Sequence, residues 1–270
     1  MKGLISSAYV DDFMQNGKLT SIKVIDTHTH MGDIYGASEP IDGIDECLAL
    51  LDDENVESIW CAPHSDLFYM GSVNPEITRM MAKYPSRVKG YFGFNPNYYK
   101  EYIDKIGEVL TNTGYIGLKF LPAYHNYSLC GDAYTEALEF ADAHSLVVLS
   151  HTWGRVALNS PKEVREILKR YHNIQFIMGH SAPGEFDESI AIAKQFDNAY
   201  LDICDIHRNG GTVEKMVKAA GSEKVLFGTD LPWYDPNYAI GSVLFAKITD
   251  RDRANIFRNN AVRMLGEIRR

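Results

Sequence analysis

No C-x-x-C pair occurs in this chain of 270 residues, and its four cysteines, Cys47, Cys61, Cys130 and Cys204, stand far apart. Such spacing speaks against a structural zinc site and against a disulfide scaffold, and it suits a reducing cytoplasm. No apolar run is long enough to span a bilayer. Residues 1–18 lack the sustained apolar core of a signal peptide. A basic stripe is also missing, and the formal net charge of -9 disfavours non-specific nucleic-acid binding. The expectation is a cytoplasmic protein with neither a membrane nor a nucleic-acid partner. No Pro/Gly/Ser-rich linker or shift of composition divides the chain, so a single domain over 1–270 is expected.

What the chain does have is a rhythm. Short β-branched apolar runs alternate with segments of helical period along the whole length. Strands are predicted at 22–27, 57–63, 88–94, 115–122, 146–152, 174–180, 199–205 and 225–230. Helices are predicted at 42–56, 74–86, 98–112, 132–145, 160–173, 186–198, 212–222, near 238–248 and at 250–265. Asp132 and Ser160 are the expected caps of their helices, and Pro75 and Pro161 lie near helix starts. Eight strand–helix units in series imply a parallel sheet covered on its outer face. They fit a closed α/β barrel of the (β/α)8 TIM type better than an open, doubly wound sheet. The loop "THTHMGDIYG" after the first strand lacks the G-x-G-x-x-G turn of an open dinucleotide-binding sheet.

On a barrel, catalytic groups come from the C-terminal ends of several strands. The first strand runs into "VIDTHTH", where alternation turns His28 and His30 to one side. His151 ends strand five, His180 strand six and Asp230 strand eight, each after an apolar run. Lys119 lies near the end of strand four. Taken singly, each could be a satisfied polar residue at a strand end. Four histidines and one aspartate at the same end of one barrel point instead to a metal site. His144 and His172 sit at helix C-termini, where an imidazolium suits the dipole. His64, His125 and His207 follow strands two, four and seven on the catalytic side and are candidates for substrate contact. Arg155, behind Trp153, could hold a substrate carboxylate in a bidentate fork or be a solvated loop residue. The loop "HSDLFYM" (64–70) and Trp233-Tyr234 could line the pocket or cap the barrel mouth.

This constellation resembles the amidohydrolase superfamily, in particular the branch that contains aminocarboxymuconate-semialdehyde decarboxylase and TIM-barrel metal-dependent hydrolases. The resemblance covers nearly the whole chain. It rests on "VIDTHTH", "GLKFLP", "VVLSHTW", "MGHSAP", "LFGTDLPW" and the closing "IFRNNAVRML".

The resemblance implies that His28, His30, His151 and Asp230 bind one divalent metal. Imidazoles and a carboxylate suit Zn2+, and with no cysteine in the set Mn2+, iron or cobalt fit as well. It implies that Asp230 also takes the proton of a metal-activated water, and that His180 polarises substrate or shuttles a proton, the alternative being a fifth ligand. Lys119 would bind an anion or carboxylate, or be carboxylated and bridge two metals. Three functions follow from this set. One is a metal-dependent hydrolase of an amide, lactone or ester. Another is a non-oxidative decarboxylase of an aromatic or unsaturated carboxylic acid, and the third is a barrel that kept its ligands and lost activity. Strand-end cations are few, namely Lys119, Arg155 and Arg208, which places the hydrolase ahead. The partner expected is a small-molecule substrate, and relatives often form homo-oligomers.

Overall fold

The computed structural model describes residues 5–32, 34, 41, 43–69, 71–206 and 209–269. Eight strands, β1 (Val24–Thr29), β2 (Val56–Cys61), β3 (Val88–Phe94), β4 (Tyr115–Phe120), β5 (Val147–His151), β6 (Gln175–Gly179), β7 (Ala199–Asp202) and β8 (Val225–Leu226), lie side by side in chain order. Every neighbouring pair is parallel. The chain after β8 returns to β1 and closes the ring: Thr27 N donates to Phe227 O at 2.9 Å, and Asp230 N to His28 O at 2.8 Å. The expected TIM barrel is therefore the fold found.

Alternation along the strands builds two cores. Val148 and Met178 face the surrounding helices, whereas Val147, Leu149, Ile177 and Tyr200 fill the barrel interior. Ala261 and Met264 of the closing helix Asn260–Glu267 join that interior core. Asn260 anchors this helix by donating to Ser222 O and Val225 O, both at 2.8 Å. Lys119, His151 and Asp202 occupy positions on the interior-facing register, which is why a run that reads as plain buried strand delivers polar groups to the barrel mouth.

Several local expectations need correction. The segment 98–112 is not one helix: a 3-10 turn at Pro96–Tyr98 leads into Tyr99–Ile103, and a separate turn of helix follows at Glu108–Thr111. Gly107 sits at the break, and glycine costs a helix interior roughly 1 kcal/mol. Asp132 does not cap an α-helix; residues Asp132–Tyr134 form a 3-10 turn, and the helix begins at Thr135 without a side-chain cap. Ser160 does cap Pro161–Leu168, in a capping box with Glu163. The loop 64–70 contains a short helix, His64–Phe68. Its Asp66 carboxylate accepts from the backbone N–H of Glu76 and Ile77 and so caps the start of Pro75–Lys83. The helix Ala8–Asn16 has no counterpart among the expected elements. Strand pairing in β7 and β8 stops at Asp202 and Leu226, earlier than predicted, because the chain there leaves the ladder to build the site. No helix among the described residues is long and apolar enough to cross a membrane.

Candidate metal centre

The corner between β1 and the turn after β8 sets two imidazoles against one carboxylate. Asp26, fully buried, accepts from the Thr229 hydroxyl at 2.6 Å and from the Thr229 and His28 N–H groups at 3.1 Å. This clamp fixes the turn in which Asp230 takes a left-handed φ of 65°, a conformation costing a non-glycine residue roughly 1–2 kcal/mol. Asp230 Oδ1 thereby lies 3.5 Å from His28 Nε2 and 3.4 Å from His30 Nε2. Two donors each ~2.1 Å from one tetrahedral ion stand ~3.4 Å apart, so each imidazole nitrogen stands from Asp230 Oδ1 at the spacing of ligands to a shared ion. Gly228 allows the approach; a Cβ there would collide with the Asp202 carboxylate and lie 2.9 Å from His28 Cβ.

The other side of the mouth is organised by Asp202. Its Oδ2 pairs with His28 Nδ1 at 2.7 Å and accepts from His180 N at 3.1 Å, while Oδ1 accepts from Cys204 N at 3.0 Å. His180 also has a left-handed φ, 63°, and its Nδ1 lies 2.8 Å from Cys204 Sγ. The rings of His151 and His180 meet with centroids 4.6 Å apart. Donor atoms of His28, His180, Cys204 and Asp230 all lie within 4.8 Å of one another. The structure thus gathers donor atoms of His28, His180 and Asp230 and adds Cys204, where a site without cysteine was expected; His30 joins them through Asp230, and His151 meets them through its ring contact with His180.

The residues fit a divalent cation by the chemistry of their donors. Burial, and then the nearby Lys119 ammonium, push His28 and His30 well below the usual imidazole range, and the same two causes, in that order, bring His151 down to about 3. Burial also pushes His180 well down. These imidazoles are neutral at pH 7, the form that binds metal. His28 Nδ1 is engaged by Asp202 and His30 Nδ1 by Ala62 O at 2.7 Å, which points each Nε2 into the cluster; there His28 Nε2 meets Lys119 Nζ, a contact that an ion bound at this nitrogen would replace. Among protein groups alone, burial raises Asp230 well above the usual carboxylate range, against the opposing pull of Lys119, and Asp202 and Asp205 add to the rise. Buried Asp26, Asp202 and Asp230 face one buried ammonium, Lys119, itself lowered to about 8 by burial. A cation in the site would offset that excess of acid and favour the carboxylate form of Asp230.

The other candidates fall into different places. A cavity of about 250 Å³ opens above the cluster and is lined by His30, His64, Tyr124, His151, Trp153 and Trp233, among others. Trp153 lies parallel to His151, with centroids 5.7 Å apart. His64 stacks on His30 at 4.8 Å, but Gly32 O takes its Nδ1 and the Trp233 indole N–H its Nε2. Lys119 is fully buried, with Nζ 2.7 Å from His28 Nε2, and lies among the clustered donors rather than on the cavity wall. His125 is buried away from the cavity, with Nε2 on Leu67 O at 2.9 Å. Arg155 is exposed at a turn where its N–H donates to Glu185 and does not line the cavity. His144 ends the helix Thr135–Ala143, and His172 is exposed. Met70, His207 and Arg208 lie outside the described residues.

Sequence pattern alone does not single out Asp26, Asp202 or Cys204. The available signal was their position: each lies within or just past an apolar strand, at the same barrel end as the histidines. Asp202→Asn keeps the volume but leaves one oxygen to serve three donors. We expect it to fold and to bind zinc about 10–100-fold more weakly, measured by competition with a chromophoric chelator; unchanged affinity would remove Asp202 from the site.

A parallel barrel with imidazoles and carboxylates gathered at the C-terminal ends of its strands defines a TIM-barrel enzyme of the metal-dependent kind. The chain belongs to the amidohydrolase family, whose profile matches residues 25–266. Similar solved structures include an uncharacterized TIM-barrel protein from Bordetella bronchiseptica (17% identity, 91% of this chain and 99% of that one, TM-score 0.77). A 2,6-dihydroxybenzoate decarboxylase from Rhizobium is similar over 90% of this chain and 98% of its own, at 12% identity and TM-score 0.71. A dihydroxybenzoic acid decarboxylase from Polaromonas with bound manganese matches over 90% and 97%, at 13% identity and TM-score 0.70. At these identities the likeness is one of fold. No curated protein sequence matches the chain significantly.

Proposed function

We propose that this enzyme is a metal-dependent hydrolase of a small amide, lactone or ester, with His28, His30, His151 and Asp230 holding one divalent ion, zinc or manganese. The ion would supply Lewis acidity, polarising a carbonyl oxygen and bringing water within reach of deprotonation at neutral pH. Asp230 accepts the proton of the attacking water. His180, on the cavity wall, polarises the substrate or delivers the proton to the leaving group. Tyr124, Trp153 and Trp233 enclose the apolar part of the substrate and exclude bulk water.

The observation that carries this reading is the charge of the cavity wall. Asp205 and Asp230 place two carboxylates on it, and Lys119 and Arg155 lie elsewhere. A site that must anchor an acid by an ion pair would show the opposite sign. Decarboxylation of an aromatic acid is the second reading, favoured by the aromatic walls, which suit a flat ring, and by the benzoate decarboxylases among the similar structures. Zinc- and manganese-loaded protein assayed against lactones, esters, amides and hydroxybenzoates in isotopically labelled water separates the two. Label entering the product carboxylate is the expected result. Carbon dioxide release from a hydroxybenzoate, with no hydrolysis of any panel member, would replace the hydrolase with the decarboxylase.

A further inference from the structure

We propose that Cys204 is a thiolate ligand of the metal ion and that His180 Nδ1–H donates a hydrogen bond to its sulfur. The inference rests on the metal-dependent reading above and deepens it. Cysteine placement in the chain first sets this residue apart: buried Cys47 and Cys61 pack among hydrocarbon in the outer core, whereas Cys204, equally buried, joins neither apolar cluster. Its sulfur instead shares a space with donor atoms of His28, His180 and Asp230, all within 4.8 Å of one another. Cys204 is also built in from behind. The Asp202 carboxylate that holds His28 Nδ1 and the His180 backbone holds the Cys204 N–H at 3.0 Å. One buried carboxylate thus holds the His28 imidazole and the backbone of both His180 and Cys204.

The division of labour between Cys204 and His180 follows from distance. A sulfur and a nitrogen bound to one ion at ~2.3 and ~2.0 Å stand ~3.0–3.5 Å apart, from right-angled to tetrahedral geometry. Cys204 Sγ and His180 Nδ1 are 2.8 Å apart, which is hydrogen-bond contact rather than the edge of a shared coordination shell. The two are therefore hydrogen-bond partners and not both ligands, and in the proposed arrangement the sulfur takes the ion while the imidazole supports the sulfur. On coordination the thiol loses its proton to solvent, and the sulfur–metal bond takes its place. With Nδ1 carrying the proton towards the sulfur, His180 Nε2 keeps its lone pair, so of the two roles proposed above it takes the shuttling one, accepting a proton before passing it on. A thiolate also biases the site towards zinc, ferrous iron or cobalt and away from manganese.

Cobalt(II) substitution tests this without turnover. Visible d–d bands report that the ion is bound in the protein; a near-ultraviolet sulfur-to-cobalt charge-transfer band reports the thiolate. The parent protein is expected to show both, and Cys204→Ser to keep the d–d bands, lose the charge-transfer band and lower the zinc-over-manganese preference by at least about tenfold. Parent protein with d–d bands but no charge-transfer band would overturn the Cys204 assignment and leave the metal reading intact. A parent with neither band would overturn both. The parent spectrum decides even if the variant misfolds, and a folded variant that keeps the charge-transfer band also refutes the assignment.

Discussion

Asp230→Asn is expected to fold, to retain at least part of its metal and to lose roughly 10⁴-fold in turnover, the upper range for removing a positioned proton acceptor. The amide keeps an oxygen that can coordinate weakly, but it cannot take a proton from water. Asp26 and Thr229 hold the turn through contacts that do not involve the Asp230 side chain, so the backbone has no reason to move. The φ of 65° supports the same view, because asparagine tolerates the left-handed region. Circular dichroism, metal content and turnover would be measured on one preparation. Turnover within about tenfold of the parent, or ~1.4 kcal/mol of barrier, would mean that Asp230 is not the base and that a mechanism independent of water activation operates.

His180→Asn is expected to lose about 10²–10⁴-fold in turnover with its metal content unchanged. His180 lines the cavity, and the contact of its Nδ1 with Cys204 orients the ring. The split between the two readouts carries the information. Loss of metal together with activity would make His180 a ligand. Retention of both would leave the proton-transfer role to another group.

The fold was legible because the strand and helix periods are strong and alternate without a break, and because each strand-end histidine follows an apolar run. His28 and His30 could be placed on one side from alternation alone, and their Nε2 atoms do converge on Asp230 Oδ1. Periodicity could not reveal the break at Gly107 or the short helix His64–Phe68, which depend on local backbone preference and on Asp66 capping a later helix. Nor could it reveal Asp202, whose importance lies in three bonds to residues on two other segments as well as its own. Arg155 shows the converse. Its position behind a ligand strand suggested the pocket, but a left-handed φ of 63° at that residue and a backbone bond to Glu185 carry it to the surface.

In the function proposed, His28, His30, His151 and Asp230 hold a catalytic metal ion at the mouth of this barrel. Elemental analysis of protein purified without chelator, alongside a His28→Ala/His30→Ala double variant shown by circular dichroism to be folded, tests it most directly. About one equivalent of a divalent transition metal in the parent and almost none in the variant is the result expected from the geometry. A parent that carries no metal and takes up neither zinc nor manganese on incubation, or a variant that binds as much as the parent, would contradict it.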